Sequence, residues 1–235
     1  MVVELNLLIS LLKLTGNGSA LIEDVKRDAR IPNEIMEKLL QNLQNHEAVY
    51  LKDGSVEVDA SSRLKLAVKA VSLGADIERV SSLLCWQEFE EIAAFALRNN
   101  SYVVAKNVRF KHGGRKWEVD VVGCKKPLVV CIDCKHYHHG LSPSAMRKIA
   151  EAQVQRTKAL ADTLPSTTIK LDCASWDKAK FVPAILSLLP GRAKFYDEVP
   201  IVPVLQLQDF ISQLPVQVEV LTYFQKEFIH LRHDS

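Results

Sequence analysis

The sequence predicts an α/β protein in two parts. Residues 1–75 form a small, mainly helical domain with a linker helix, and residues 76–235 form a mixed sheet flanked by helices. Three observations carry this reading. Apolar residues recur at helical spacing through the first 46 positions and then give way to a short hairpin. Three β-branched runs, "YVVAKNVRF", "KWEVDVVGC" and "LVVCIDCK", follow one another through short turns, and a long amphipathic helix comes next. Finally, 235 residues that are 48% apolar and 25% charged suffice for one large core or two smaller ones.

Leu5, Leu8, Ile9 and Leu12 mark a first helix, which ends at "TGNG". "LIEDVKRDAR" fits a second. Pro32 stands where a first helical turn tolerates it, and Ile35, Leu39, Leu40 and Leu43 form the stripe of a third. Asp53-Gly54 inside "AVYLKDGSVEV" signals a hairpin. Three helices followed by a hairpin over residues 1–60 resemble a winged helix-turn-helix domain. "SSRLKLAVKAVSL" reads as a helix capped by serine and ended by Gly74, and Asp76 can cap another that runs to about Asn99. After the three strands come a helix over about 142–164, strand-like "KFVPAILSLL" and "VPIVPVLQL", a short helix "LQDFISQL" and strand-like "VEVLTYF".

A net charge of +2 and a pI near 8.2 are too mild to imply a nucleic-acid partner by total charge. Clustering says more. Arg109, Lys111, Arg115 and Lys116 flank "HGG", and Lys125 and Lys126 occupy the next turn, where such groups can contact phosphates without reading sequence. The third helix carries Glu34, Glu37 and nearby Glu47 against Lys38, a poor charge for a DNA groove, so the first domain would grip DNA through its hairpin and Arg63, Lys65 and Lys69, or bind protein instead. "MVVELNLLISLLKL" lacks the features of a secretory signal and is too short to span a bilayer, so a cytoplasmic protein with reduced thiols and no membrane partner is expected. Cys131 and Cys134, three apart on a strand, face opposite ways and suit a core better than a zinc site. His136, His138 and His139 read as a polar loop.

The chemistry gathers on two strands. Residues two apart share a face, so Asp133 and Lys135 project side by side at the end of an otherwise apolar strand. On the preceding strand Glu118 and Asp120 share a face, and pairing through "KKP" brings Asp120 beside Asp133. Two adjacent carboxylates repel, a divalent ion relieves the repulsion, and oxygen ligands suit magnesium or manganese. Upstream, Trp86, Phe89, Ile92, Ala93, Ala96 and Leu97 form one helical stripe; Glu90 falls at its margin, whereas Glu88 and Glu91 fall on the far side. Gln153 lies on the inward stripe of the long helix with Met146, Ile149, Ala150, Leu160 and Ala161, and a polar amide there must find hydrogen bonds.

"FE" on a helix, "EVD" on one strand and "DCK" on the next resemble the PD-(D/E)XK nuclease superfamily, in particular its archaeal Holliday-junction resolvase and Mrr-like restriction-endonuclease branches, over roughly residues 80–164. Val119 replaces the proline that often precedes the family's aspartate. The resemblance implies a restriction-endonuclease-like fold and magnesium- or manganese-dependent hydrolysis of DNA phosphodiesters, in repair, recombination or restriction. Glu90, Asp120 and Asp133 would hold the metal, Lys135 would attend the attacking water, and Gln153 would stand beside them. Relatives of this kind often act as homodimers. A non-catalytic DNA-binding regulator on the same scaffold and an RNA-processing nuclease are the alternatives.

Overall fold

The computed structural model describes residues 2–76, 79–80, 82–135, 142–187 and 194–228, apart from the side chains of Trp86, Pro143 and Leu205. His136, His138 and His139 lie outside the described residues. The chain divides into two compact units, Met1–Glu91 and Ile92–Ser235, a division that falls later than residue 75.

The first unit contains α1 (Val2–Leu14), β1 (Ser19–Leu21), α2 (Ile22–Ala29), α3 (Asn33–Asn45), β2 (Tyr50–Lys52), β3 (Ser55–Glu57) and α4 (Ala60–Ser72). The three strands form an antiparallel sheet in the order β1-β3-β2. Asp53 and Gly54 both have positive φ (47° and 75°), as a tight two-residue hairpin turn requires. Strand β1 is only "SAL", too short to show alternation in the sequence. Helix α4 is capped by Asp59, not by serine: its carboxylate accepts from the Ser62 amide at 2.7 Å.

A buried ion pair explains why this unit continues beyond residue 75. Arg63 and Glu88 are 3% and 1% exposed and are bonded to each other through Arg63 Nε and Glu88 Oε1. The same guanidinium donates to the Leu12 carbonyl (2.7 Å), Thr15 Oγ1 (2.8 Å) and the Leu83 carbonyl (2.6 Å). Two sequence expectations are thereby corrected. Glu88 does not face solvent, and Arg63 is not available to DNA. Helix α5 (Trp86–Asn99) also begins later than expected from Asp76, and the other oxygen of Glu88 accepts from the Cys85 amide at 2.5 Å, a capping contact that fixes the start.

The second unit holds the end of α5, then β4 (Val103–His112), β5 (Arg115–Lys125), β6 (Leu128–Lys135), α6 (Pro143–Thr163), β7 (Lys178–Ser187), β8 (Phe195–Tyr196), β9 (Val199–Pro203), α7 (Leu207–Gln217) and β10 (Phe224–Glu227). The sheet runs β4-β5-β6-β7-β9-β8, with β10 also paired to β7. β4, β5 and β6 pair antiparallel, while β6–β7 and β7–β9 are parallel, so α6 is the crossover of a β-α-β unit. "VEVLTYF" is not one strand: Val218–Val220 is a single 3-10 turn and β10 starts at Phe224, because three alternating residues fit a tight turn equally well. None of the described helices is long and apolar enough to cross a membrane.

Helix α5 packs closely on the sheet at Gly123, where an added Cβ would stand 2.7 Å and 2.9 Å from the methyl carbons of fully buried Leu97. Gly123→Ala should therefore destabilise the second unit by about 1–3 kcal/mol, read from its urea midpoint. In the first unit, Arg63→Met strands a buried carboxylate and should cost about 3–5 kcal/mol, most of it recovered in Arg63→Met/Glu88→Leu. An Arg63→Met variant of unchanged midpoint would show that the pair is not structural.

Candidate active site

The register of the sheet brings the two aspartates together. β5 and β6 pair through Val121↔Ile132, so the next position sets Asp120 opposite Asp133. The Cys134 amide donates to Asp120 Oδ2 at 2.8 Å, tying this carboxylate to the backbone of the neighbouring strand. On the other side of β5, the ladder runs Lys106↔Val121 and Val108↔Val119, so Asn107 stands opposite Asp120 in a left-handed conformation (φ 52°). Asn tolerates that geometry better than most residues. Strict alternation also breaks here, since Val119 and Val122 join the same hydrophobic cluster.

Asp133 is 2% exposed and lies at the carboxyl end of β6, beside parallel β7. Lys135 Nζ donates to Asp133 Oδ1 at 3.0 Å and stands 2.9 Å from Oδ2, without the alignment of a hydrogen bond to the latter atom. Arg156 Nη1 donates to Asp133 Oδ1 at 2.5 Å and to Gln153 Oε1 at 2.8 Å. Gln153 is fully buried, and its Nε2 donates to the Cys131 carbonyl at 2.7 Å. The amide thus fastens α6 to β6 and orients the arginine.

The second unit by itself therefore brings together Asp120, Asp133, Lys135 and Gln153, four of the residues picked from the sequence, and adds Arg156. The arginine was missed although Gln153-x-x-Arg156 places the two side chains on one helical face. Glu90 is buried, at 4% exposure, on the part of α5 that belongs to the first unit. Among the described residues no three His, Cys, Asp or Glu side chains gather as a ready-made metal cluster. The donor set is instead a carboxylate pair. Asp133 Oδ2 is buried without a hydrogen-bond partner. A pair of this kind fits magnesium, which keeps several waters and takes substrate oxygens for its remaining positions.

Three of the thiols belong to the core. Cys131 is fully buried in the main core cluster with Cys124 and Cys173, and burial foremost pushes its thiol well above the ordinary range. The basic residues differ in availability. Arg109 is bonded to Glu118 through two nitrogens (3.0 and 3.1 Å), Lys126 pairs with Asp177 (3.2 Å), and Lys125 donates to the Asn100 carbonyl (2.8 Å). Arg115 stacks over the Trp117 ring at 4.2 Å. Lys111 and Lys116 are exposed, stand directly opposite each other in the β4–β5 register, and have no carboxylate partner among the described residues. They border a groove of about 770 Å³ lined also by Arg109, Trp117, Thr163 and Thr168.

Burial is the main force that holds the Asp120 carboxyl above its ordinary range, and the Asp133 charge adds to it, against the Cys134 amide, Lys135 and Arg156. The folded state thus favours protonated Asp120. That contribution to stability is present at pH below the unfolded aspartate's pKa and is lost as pH rises through the raised value. At neutral pH without metal, Asp120→Asn should accordingly raise Tm, with the gain vanishing in acid; a lowered Tm at neutral pH would contradict this electrostatic account.

Comparison with known proteins gives the site a context. Residues 86–161 match the family described as NERD, nuclease-related domain. Solved structures similar to the chain include protein VC1899 from Vibrio cholerae, with 13% identity over 93% of this chain and 53% of that one at a TM-score of 0.43. Can2 from Sulfobacillus thermosulfidooxidans, solved in complex with cyclic tetra-adenylate, has 12% identity over 92% and 50% at 0.33. Restriction endonuclease FokI has 14% identity over 94% and 44% at 0.37. The chain spans about half the length of these proteins. No match is found among curated proteins. Asp120, Asp133, Lys135, Gln153 and Arg156 all fall within the segment that matches the nuclease-related domain.

Proposed function

We propose that the chain is a magnesium- or manganese-dependent endonuclease that hydrolyses DNA phosphodiesters. The observation that carries the proposal is the apposition of Asp120 and Asp133 across β5 and β6, with Lys135 on the same carboxylate. Asp120 and Asp133 would hold the ion, which when bound would polarise a phosphoryl oxygen and activate a water. The Lys135 ammonium orients that water or steadies charge developing on the phosphate. Gln153 keeps α6 and Arg156 in place. DNA is the proposed substrate on the resemblance of the strand motif to restriction and junction-resolving nucleases.

The hairpin supports a polyanionic partner. Like charges directly opposite on paired strands are unfavourable, yet Lys111 and Lys116 face each other with no acid to balance them. Glu118, between Lys116 and the catalytic pair, is neutralised by Arg109. Four residues of strand separate Lys116 from Asp120, about 13 Å. A phosphate backbone lying along β5 would meet these lysines beyond the carboxylates.

The test is cleavage of linear, nicked, flapped, four-way and single-stranded DNA, and of RNA, with magnesium and with chelator. Asp133→Asn and Lys135→Ala should each lower the rate by about 10²–10⁴-fold while DNA binding persists. Undiminished turnover in either variant would remove these residues from the chemistry, and cleavage of RNA alone would correct the substrate. Lys111→Glu/Lys116→Glu should weaken binding and reduce the dependence of log K on log salt by about 2. An unaltered salt slope would place the phosphates elsewhere.

A further inference from the structure

Arg156 stands out because Asp133 already has one cationic partner without it. Lys135 alone neutralises Asp133, yet Arg156 Nη1 donates to the same oxygen. Counting all four groups, Asp120 and Asp133 carry two negative charges and Lys135 and Arg156 two positive ones. Asp133 is 2% exposed, so the surrounding dielectric screens these charges poorly. A divalent cation entering the balanced cluster leaves an excess of two positive charges. A phosphodiester entering with it removes one, and gives a guanidinium a better partner to move to.

Arg156 is built for such a move. Its side chain is 21% exposed, whereas that of Asp133 is 2%. Only Nη1 is engaged, by Asp133 and Gln153. Nε and Nη2 donate to nothing among the described residues, and that edge of a guanidinium is the one that grips two phosphate oxygens at once. Arginine also remains charged across the working pH range, so its competition for Asp133 cannot be lifted by losing a proton.

We infer that Arg156 is an interlock that couples metal binding to substrate binding: without nucleic acid it occupies Asp133 and weakens the site for a divalent ion, and a bound phosphodiester draws it off the carboxylate. The inference rests on the metal-nuclease reading and adds to it an order of events, in which the site is fully competent for metal only when nucleic acid is present.

The experiment is calorimetric titration of the full chain with Mn²⁺, alone and in the presence of a DNA duplex with phosphorothioate linkages, whose cleavage is slow. Wild type should bind Mn²⁺ more tightly with the duplex by about fivefold or more. Arg156→Met should bind Mn²⁺ more tightly than wild type in the absence of DNA, and the gain from adding duplex should shrink toward none. Arg156→Gln, which keeps a donor but no charge, should behave like Arg156→Met, and Arg156→Lys should retain part of the coupling. Circular dichroism and thermal melting establish that the variants are folded. Weaker or unchanged Mn²⁺ binding in the folded neutral variants, or full coupling in them, overturns the interlock while leaving the metal site intact. Absence of Mn²⁺ binding by wild type, with and without duplex, overturns both the interlock and the metal-nuclease reading.

Discussion

The structure of the second unit turns on one unfavourable contact, two aspartates set opposite each other where β5 meets β6. Asp120 and Asp133 follow directly from the register of Val121 and Ile132, so neither can leave without the strands slipping. The register is held by five consecutive buried residues of β6, Leu128 to Ile132, so the sheet enforces the repulsion. Lys135 and Arg156 offset it at Asp133, and the Cys134 amide offsets it at Asp120, yet Asp120 still resists ionisation. A protein selected for stability alone would have little reason to keep such a pair. A site that receives a divalent cation would.

The fold supports the pair from several directions. The parallel β6–β7 pairing requires a crossover, and α6 provides it, returning over the sheet with Gln153 against the backbone of β6. That single buried amide satisfies the Cys131 carbonyl and also holds Arg156 toward Asp133. The antiparallel side contributes differently. β4 and β5 run past the carboxylates into a hairpin whose lysines carry no compensating acid. Rigid strands therefore present the acids, a helix steadies them, and a projecting hairpin offers positive charge.

The reading of Asp133 and Lys135 from sequence depended on strand alternation, which has a period of two, whereas Asp120 lies where alternation on β5 breaks and was legible through the pairing of β5 with β6 across a short turn. Gln153 was legible because an amide on an apolar helical stripe has to be satisfied. Arg156 was not, since an arginine one turn from a core position is ordinarily a solvated one, and only the distance to Asp133 distinguishes it. Glu88 shows the same limit in reverse. It lies off the apolar stripe, and its partner Arg63 is 25 residues away on another helix, so no local pattern could reveal the pair. The late end of the first unit follows from that pair, and β1 was hidden because three residues cannot display a period.

The claim that everything else depends on is that Asp120 and Asp133 share a divalent ion. Anomalous diffraction from crystals of the protein soaked in Mn²⁺ tests it without any assumption about substrate. The account predicts a peak between the two carboxylates, with oxygen contacts of about 2 Å and waters completing the shell. A manganese peak elsewhere, with none between Asp120 and Asp133 at a saturating soak, would contradict it.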